Sequence, residues 1–560
     1  MLFDFISAAF AVKVGHGSIV HVGTSRDKVC SRFQACPVRF FSTAFVIGYK
    51  RNYFMKHKSN CLGKPLLGLL IFAVVLAVFD SAAAESNLKG RVISVVVDVS
   101  KPGAFVPVDF TGFSFEMTAI MAASDGKRYF SPTNLALVTM FQTLGIEHLR
   151  VGGNTADRDA KRMPSEADID NLFAFARAAH VKVLYCLRLH HGDPAMAART
   201  AKYIYDHYPD LIDCLAIGQE PSAYPVEAVD TRSGDERMGH ENEKYPYHSY
   251  RNEWYEFARA ILATVPQAKF AGPGVHNNVG WTKSFLSDFG RSNYLALVTA
   301  HLYPGGPGGK VPSPEIGRTQ MLSGGFLSVY QKLYAGIEPA AGSNSLPFRL
   351  EEVNNYFNGG AKDVSDTFAS ALWGLESLHW WASRGAAGIN FHTGDRVAAG
   401  SDLLPAKYTA IVSAPNGYVV RPLGYGIKAF DLGKHGAYVP VKLGLGASKY
   451  LSVYAVLDQS RRLMVTVINK SFGPNSAVAN INLSAEGYSA EKMIMLQAPK
   501  DNVGAKSGIT LGGSPIANDG SWRGEWKPLT SFEVEGRCFQ IPASTAVIFM
   551  MRPDKLVSSK

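Results

Sequence analysis

Two acidic sites lie far apart in the chain, and each closes a short apolar run. Glu220 ends Leu215-Ala216-Ile217-Gly218-Gln219-Glu220 just before Pro221, and Glu351-Glu352 ends Phe348-Arg349-Leu350 before Val353-Asn354-Asn355-Tyr356. An apolar run stopped by turn-forming residues reads as a strand handing over to its loop, which puts both sites at strand tips. Two carboxylates brought face to face are the equipment for breaking a glycosidic bond. One protonates the leaving oxygen, and the other attacks the sugar or activates water. Taken alone, either Glu also reads as a solvated loop residue or an ion-pair partner. Successive strand residues point to opposite faces, so only one of Glu351 and Glu352 is expected to meet Glu220. The proton donor must hold its proton while the other carboxyl stays ionised, so whichever glutamate is the donor is expected to have the raised pKa of the pair.

The elements that would present these side chains alternate. Strand-like runs at 109–115, 148–151, 181–187, 214–218, 269–272, 297–301, 348–352 and 388–392 are separated by longer segments, among them amphipathic stretches at 167–179, 194–208, 250–264 and 365–383. Such βα alternation predicts a parallel sheet. Eight strands within 105–432, with no Gly-rich dinucleotide loop after the first, predict an α/β fold of the (β/α)8 TIM barrel kind. In that fold the site sits at the C-terminal strand ends. Beyond it the spacing changes to short alternating strands (451–457, 463–468, 477–481, 546–551), which predicts a C-terminal β-sandwich over 436–553. The strand-like stretch 92–99 precedes the barrel and is expected to join that sandwich.

Other strand ends carry polar residues: Glu116 after the first strand, Arg150 and Asn154 after the second, His301 and Tyr303 after the sixth. Arg150 cannot give up its proton, so a role holding the carboxylates through buried hydrogen bonds fits it better than acid chemistry. His301 reads equally as a support or a core histidine. His190-His191-Gly192-Asp193 is the dense His cluster, but adjacent histidines are expected to splay apart and no third ligand has recognisable spacing, so no metal site is expected. Neither a phosphate-binding loop nor a Gly-x-Ser-x-Gly elbow is present, and no cofactor is expected.

At the N-terminus, residues 66–79 (LLGLLIFAVVLAVF) are uncharged and apolar, preceded by Lys56, Lys58 and Lys64 and followed by Ser81-Ala82-Ala83-Ala84. That order predicts a signal peptide over 55–84, short for a membrane span, and hence a secreted or periplasmic protein, with a signal-anchored membrane protein as the less favoured alternative. Residues 1–54 then read as an over-extended start. The formal net charge of +10 resides mostly in the leader, because residues 1–64 hold ten Lys/Arg and two Asp. A nearly balanced mature chain argues against a nucleic-acid partner. Past the leader only Cys186, Cys214 and Cys538 remain of the six cysteines, which is no disulfide framework; buried free thiols are the expectation.

With these motifs in place, the chain resembles glycoside hydrolase family 79 of clan A, the β-glucuronidases and heparanase, over about 92–553. The likeness rests on the Glu-Pro closing the fourth strand and on Glu352 with Asn354-Asn355-Tyr356-Phe357-Asn358-Gly359-Gly360, followed by Val364-Ser365-Asp366-Thr367-Phe368-Ala369. It implies a retaining mechanism with Glu220 as acid/base and Glu352, rather than Glu351, as nucleophile. It also implies sugar contacts from Glu116, Asn154, Tyr303 and Tyr408, and recognition of a C5 carboxylate by the backbone of Asn358, Gly359 and Gly360. The expected partner is therefore a carbohydrate bearing a terminal β-linked uronic acid, cleaved in exo mode. Two positions depart from the pattern: Gln219 stands where clan members carry an Asn that bonds the sugar 2-hydroxyl, and is expected to bind substrate through the same hydroxyl with its longer amide, and Phe357 stands where several bacterial members carry Tyr. The rival expectations are an endo-acting heparanase-like enzyme, an exo-enzyme for a neutral sugar such as glucose or xylose, and a non-catalytic carbohydrate-binding protein.

Overall fold

Short, largely buried runs form the staves of a closed parallel barrel in the computed structural model, which describes residues 92–157, 163–225, 245–395, 405–529 and 538–554. The expected start and signal segments, 1–54 and 55–84, lie outside the described residues. A first strand, β1 (Ile93–Val97), precedes the barrel. The barrel strands are β2 (Thr111–Glu116), β3 (His148–Gly152), β4 (Lys182–Leu187), β5 (Ile212–Ile217), β6 (Phe270–His276), β7 (Leu295–Leu302), β8 (Phe348–Val353) and β9 (Gly388–His392). They pair in sequence order, and β9 returns to β2 to close the ring. The helices between them are α1 (Leu135–Leu144), α2 (Glu166–Ala179), α3 (Pro194–His207), α4 (Tyr247–Thr264), α5 (Val279–Phe289), α6 (Pro314–Leu322), α7 (Gly325–Ser343), α8 (Phe368–Ala382) and, after β9, α9 (Pro422–Gly433).

Local sequence explains several boundaries. α2 starts at a capping box in which Ser165 and Asp168 satisfy each other's exposed amides, and α3 starts at Asp193 with Pro194 in the first helical position. α8 is buried on every residue, because it lies between the barrel wall and α9.

After α9 the chain builds a second, mostly antiparallel sheet from β12 (Ala437–Val439), β13 (Val441–Leu443), β14 (Leu451–Leu457), β15 (Leu463–Asn469), β16 (Ala479–Ala485), β17 (Tyr488–Gln497), β18 (Thr510–Leu511), β19 (Lys527–Pro528), β20 (Cys538–Ile541) and β21 (Thr545–Pro553); β10 (Ile411–Ala414) and β11 (Gly417–Val420) form a separate hairpin. β1 joins this sheet, parallel to β16 and antiparallel to β13. The sheet is continuous, with β16 turning into β17 through the Ala485–Tyr488 pair. Its two halves close on a core of their own, where the Phe539 and Phe549 rings meet at 4.8 Å. The outer face of β15 and β21 buries Met464, Ile468, Ala546 and Ile548 in the same apolar core as the barrel helices, while Val465, Val467, Val547 and Phe549 face the sheet's own core. The period of two along each strand is thus apolar on both faces. No helix among the described residues is long and apolar enough to cross a membrane.

Candidate active site

β5 ends at Ile217, and Glu220 then takes a left-handed backbone (φ 47°, ψ 55°) that turns its side chain over the barrel mouth. Its Oε1 lies 2.9 Å from His301 Nδ1, and the side chain keeps 17% exposure. Opposite it, Glu352 at the end of β8 is held at both oxygens. Oε2 accepts from Arg150 Nη1 at 2.8 Å and Gln219 Nε2 at 3.0 Å, and Oε1 accepts from the Tyr303 hydroxyl at 2.9 Å. One oxygen of each glutamate and a nitrogen of His301 lie within 4.8 Å of one another. That trio has the spacing of a cation site. Two donors already occupy Glu352 Oε2, however, and one is a guanidinium that puts a fixed positive charge where an ion would sit, so the donor set fits a carboxylate pair better.

Glu351 does not meet Glu220. A bulge between β7 and β8 sets His301 opposite Glu352 and leaves Glu351 out of register. The Glu351 carboxyl turns into the wall, fully buried, with Oε1 3.4 Å from His301 Nε2; this is an ion-pair contact, too long for a good hydrogen bond. Strict alternation would have sent Glu351 to the opposite face, but the bulge lets both acids approach the one imidazole.

The electrostatics follow from this packing. Burial works against the charge on Glu352, but His392, His301 and Arg150 outweigh it and hold its carboxyl well below the ordinary value. Burial likewise pushes Glu220 up, but the hydrogen bond and positive charge of His301 pull it below its ordinary value. The expected raised pKa at Glu220 is therefore not found; its fall is the smaller of the two. His301 is the counterpart: burial opposes its charge, but Glu352, Glu220 and Glu351 together raise it to about 9. Arg150 stays charged against the same burial through Glu352 and Glu351.

The remaining expected residues spread around the mouth. Gln219 is buried between Arg150, which donates to its Oε1, and Glu352, so the longer amide is engaged by protein groups on both sides. Glu116 Oε2 accepts from the Thr155 amide (2.8 Å) and hydroxyl (2.7 Å), and its Oε1 lies 3.6 Å from His392 Nε2. Gly153 makes room for it: a Cβ there would stand 2.4 Å from the Glu116 carboxyl, on a backbone of φ 69°. Asn154 opens the short helical turn that follows β3. Tyr303, Tyr408 and Ala406 form a small apolar cluster with Phe357 packed on it. Asn358, Gly359 and Gly360 take consecutive left-handed φ values of 57°, 77° and 84°, and the Gly359 carbonyl accepts from the Lys407 amide at 2.7 Å. Loop 357–360 is thereby tied to the segment carrying Tyr408.

His190 and His191 do not splay apart. Their rings stack at 4.1 Å because His191 adopts a left-handed backbone (φ 53°) after the strand has ended. Cys186 and Cys214 are buried free thiols.

Three residues of the mouth carried no motif. Asp157, buried after β3, accepts from the Leu189, His190 and Gln219 amides and from the Tyr224 hydroxyl, locking three strand ends together. His392, ending β9, stands between Ser114, Glu116 and Glu352. His276, ending β6, packs edge-on against Tyr303 and Phe357. Position at a C-terminal strand end was the one signal available for the two histidines.

No known family's sequence profile matches the chain. A β-glucuronidase of Aspergillus niger is 24% identical over 189 residues, which cover 32% of this chain and 34% of that protein. The match thus spans about a third of that relative's length. Among solved structures, a 4-O-α-L-rhamnosyl-β-D-glucuronidase from Fusarium oxysporum 12S superposes with a TM-score of 0.61 at 16% identity, over 81% of this chain and 99% of that one. A family 51 arabinofuranosidase from Xanthomonas axonopodis pv. citri superposes with a TM-score of 0.57 at 13% identity, over 82% and 100%. At such identities the likeness is one of fold. The chain has a glycoside-hydrolase-like TIM barrel followed by a second, mostly antiparallel sheet.

Proposed function

We propose that this chain is a retaining, exo-acting β-glucuronidase of the family 79 kind. The observation that carries the reading is the pairing of Glu220 with Glu352 across the barrel mouth, Glu352 fixed as a carboxylate by Arg150, Gln219 and Tyr303. The likeness to the Aspergillus β-glucuronidase, and a fold shared with the rhamnosyl-glucuronidase, support the choice of sugar.

In the first step Glu352 attacks the anomeric carbon while Glu220 protonates the glycosidic oxygen, so the aglycone leaves as an alcohol and a glycosyl ester forms on Glu352. In the second, Glu220 takes a proton from water, the hydroxide displaces Glu352, and glucuronic acid leaves with retained configuration. The close approach of the two carboxyls, one oxygen of each within 4.8 Å of the other, supports the short spacing of a retaining enzyme over the wider spacing of an inverting one. Tyr408 and the backbone of Asn358, Gly359 and Gly360 take the C5 carboxylate, and Glu116 and Asn154 take ring hydroxyls. Segment 55–84 directs secretion and is removed, leaving a soluble enzyme.

Turnover of 4-nitrophenyl β-D-glucuronide against the matching glucoside and xyloside tests the substrate. Faster turnover of a neutral sugar overturns the uronic-acid assignment. Proton NMR of the first-formed anomer tests retention, and an α product overturns it.

A further inference from the structure

Glu351 is an acid that the two-carboxylate mechanism leaves unused. It is fully buried one residue from the nucleophile, its Oε1 lies 3.4 Å from His301 Nε2, and its Oε2 has no hydrogen-bond partner among the described residues. The fold makes space for it. Gly274, in β6, has a left-handed backbone (φ 62°), and a Cβ there would stand 2.5 Å from Glu351 Oε1. The other imidazole nitrogen of His301 points at Glu220, 2.9 Å from Oε1. The three groups form a line from the barrel wall to the mouth: Glu351, His301, Glu220.

We propose that Glu351 is a positioning residue that keeps a proton on His301 and, through it, sets how far up the pH scale the Glu220–His301 pair retains the proton used in glycoside cleavage. The proposal rests on the assignment of Glu220 as acid/base. A carboxylate in the low-dielectric wall favours the imidazolium, and the imidazolium in turn faces Glu220, so the two titrate as a pair. The groups facing His301 are Glu220 at the end of β5, His276 at the end of β6, and Glu351 and Glu352 on β8; of these, His276 opposes its charge and the three carboxylates favour it. Burial raises the Glu351 carboxyl, but His301 and Arg150 hold it below its ordinary value, so the charge that acts on His301 is present at neutral pH.

The test is the pH profile of kcat/KM on a chromogenic glucuronide for wild type, E351Q, E351D, H301Q and the double variant E351Q/H301Q. E351Q keeps the shape and removes the charge, so the pair loses its last proton sooner. Its alkaline limb is expected to fall by about one pH unit, a loss of about tenfold in kcat/KM above that limb. The acid side should fall less, and E351D should restore most of the limb. Adding E351Q to H301Q should move the limb no further. An even loss at all pH values with an unmoved limb, or a full limb shift in the H301Q background, overturns the proposal.

A readout independent of turnover is the pH dependence of urea unfolding. The alkaline fall in stability should end at lower pH and be smaller in E351Q than in wild type, and coincident curves overturn the proposal. If wild type hydrolyses no glucuronide, the activity assignment fails while this titration still decides whether Glu351 sets the proton on His301.

Discussion

Glu352 gives up solvent on every side and receives Arg150, Gln219 and Tyr303 in return. Replacing it by Gln is expected to remove on the order of 10⁴-fold in kcat with substrate binding retained, measured by turnover and by calorimetric titration of product. Unchanged turnover would move the nucleophile to Glu351. Replacing Arg150 by Met strands a buried carboxylate, and the expected cost is about 3–5 kcal/mol in urea unfolding. The same charges make stability depend on pH in two directions. The folded pKa of Glu352 lies below its ordinary 4.5, so its contribution is present above that value and is lost as pH falls through the depressed one. His301 is raised from 6.5 to about 9, so its contribution is complete below 6.5 and disappears as pH rises through about 9. Urea midpoints from about pH 6 to about pH 10 should therefore decline for wild type and stay flatter for H301Q. Glu220 and the Glu351-Glu352 pair were legible because a polar residue closing an apolar run is visible in one dimension. The direction of the Glu220 pKa was not, since it depends on a histidine 81 positions away.

At the scale of elements, the barrel was readable because its strands are short runs built around apolar residues and the segments between them include clear helical periods; β5 and β8, for example, are each recognisable as one short run. β17 was not anticipated. Its pairing with β21 slips between Ala490 and Lys492, so its apolar residues lose the strict alternation that marks a strand. The bulge at Glu351 is invisible in the same way, because a register shift has no compositional trace. The turn after β3 offers a test at this scale. Gly153→Ala would place a methyl against Glu116 on a left-handed backbone, and a loss of about 1–3 kcal/mol is expected. A rise in KM for the glucuronide larger than the fall in kcat should accompany it, since the displaced carboxylate is assigned to binding the sugar. Steady-state kinetics with a thermal melt decides this.

The whole molecule is tied together by strands that are apolar on both faces. β15 and β21 serve two cores at once, and buried Lys470, just past β15, pairs with buried Glu376 in α8. Lys470→Met alone should cost about 3–5 kcal/mol, and the double replacement with Glu376→Leu should recover part of it. Barrel and sheet should therefore melt in a single calorimetric transition; two separate transitions would contradict the shared core. This interdependence was only partly readable in the sequence, where the change in spacing after 432 marks two regions but does not reveal that one strand faces both. A last feature concerns how such enzymes can be recombined. The first amides of α8, which follows β8 and the Asn358-Gly359-Gly360 turn, donate to the carbonyls of Ala505 (2.8 Å) and Val503 (2.9 Å), both contributed by the second sheet's long loop. A chimera that grafts the loop after β8 from another barrel leaves those donors facing a foreign partner. Specificity in this architecture is therefore portable only as a matched pair of segments, 354–369 with 498–509, and libraries that vary the first alone should yield few folded clones.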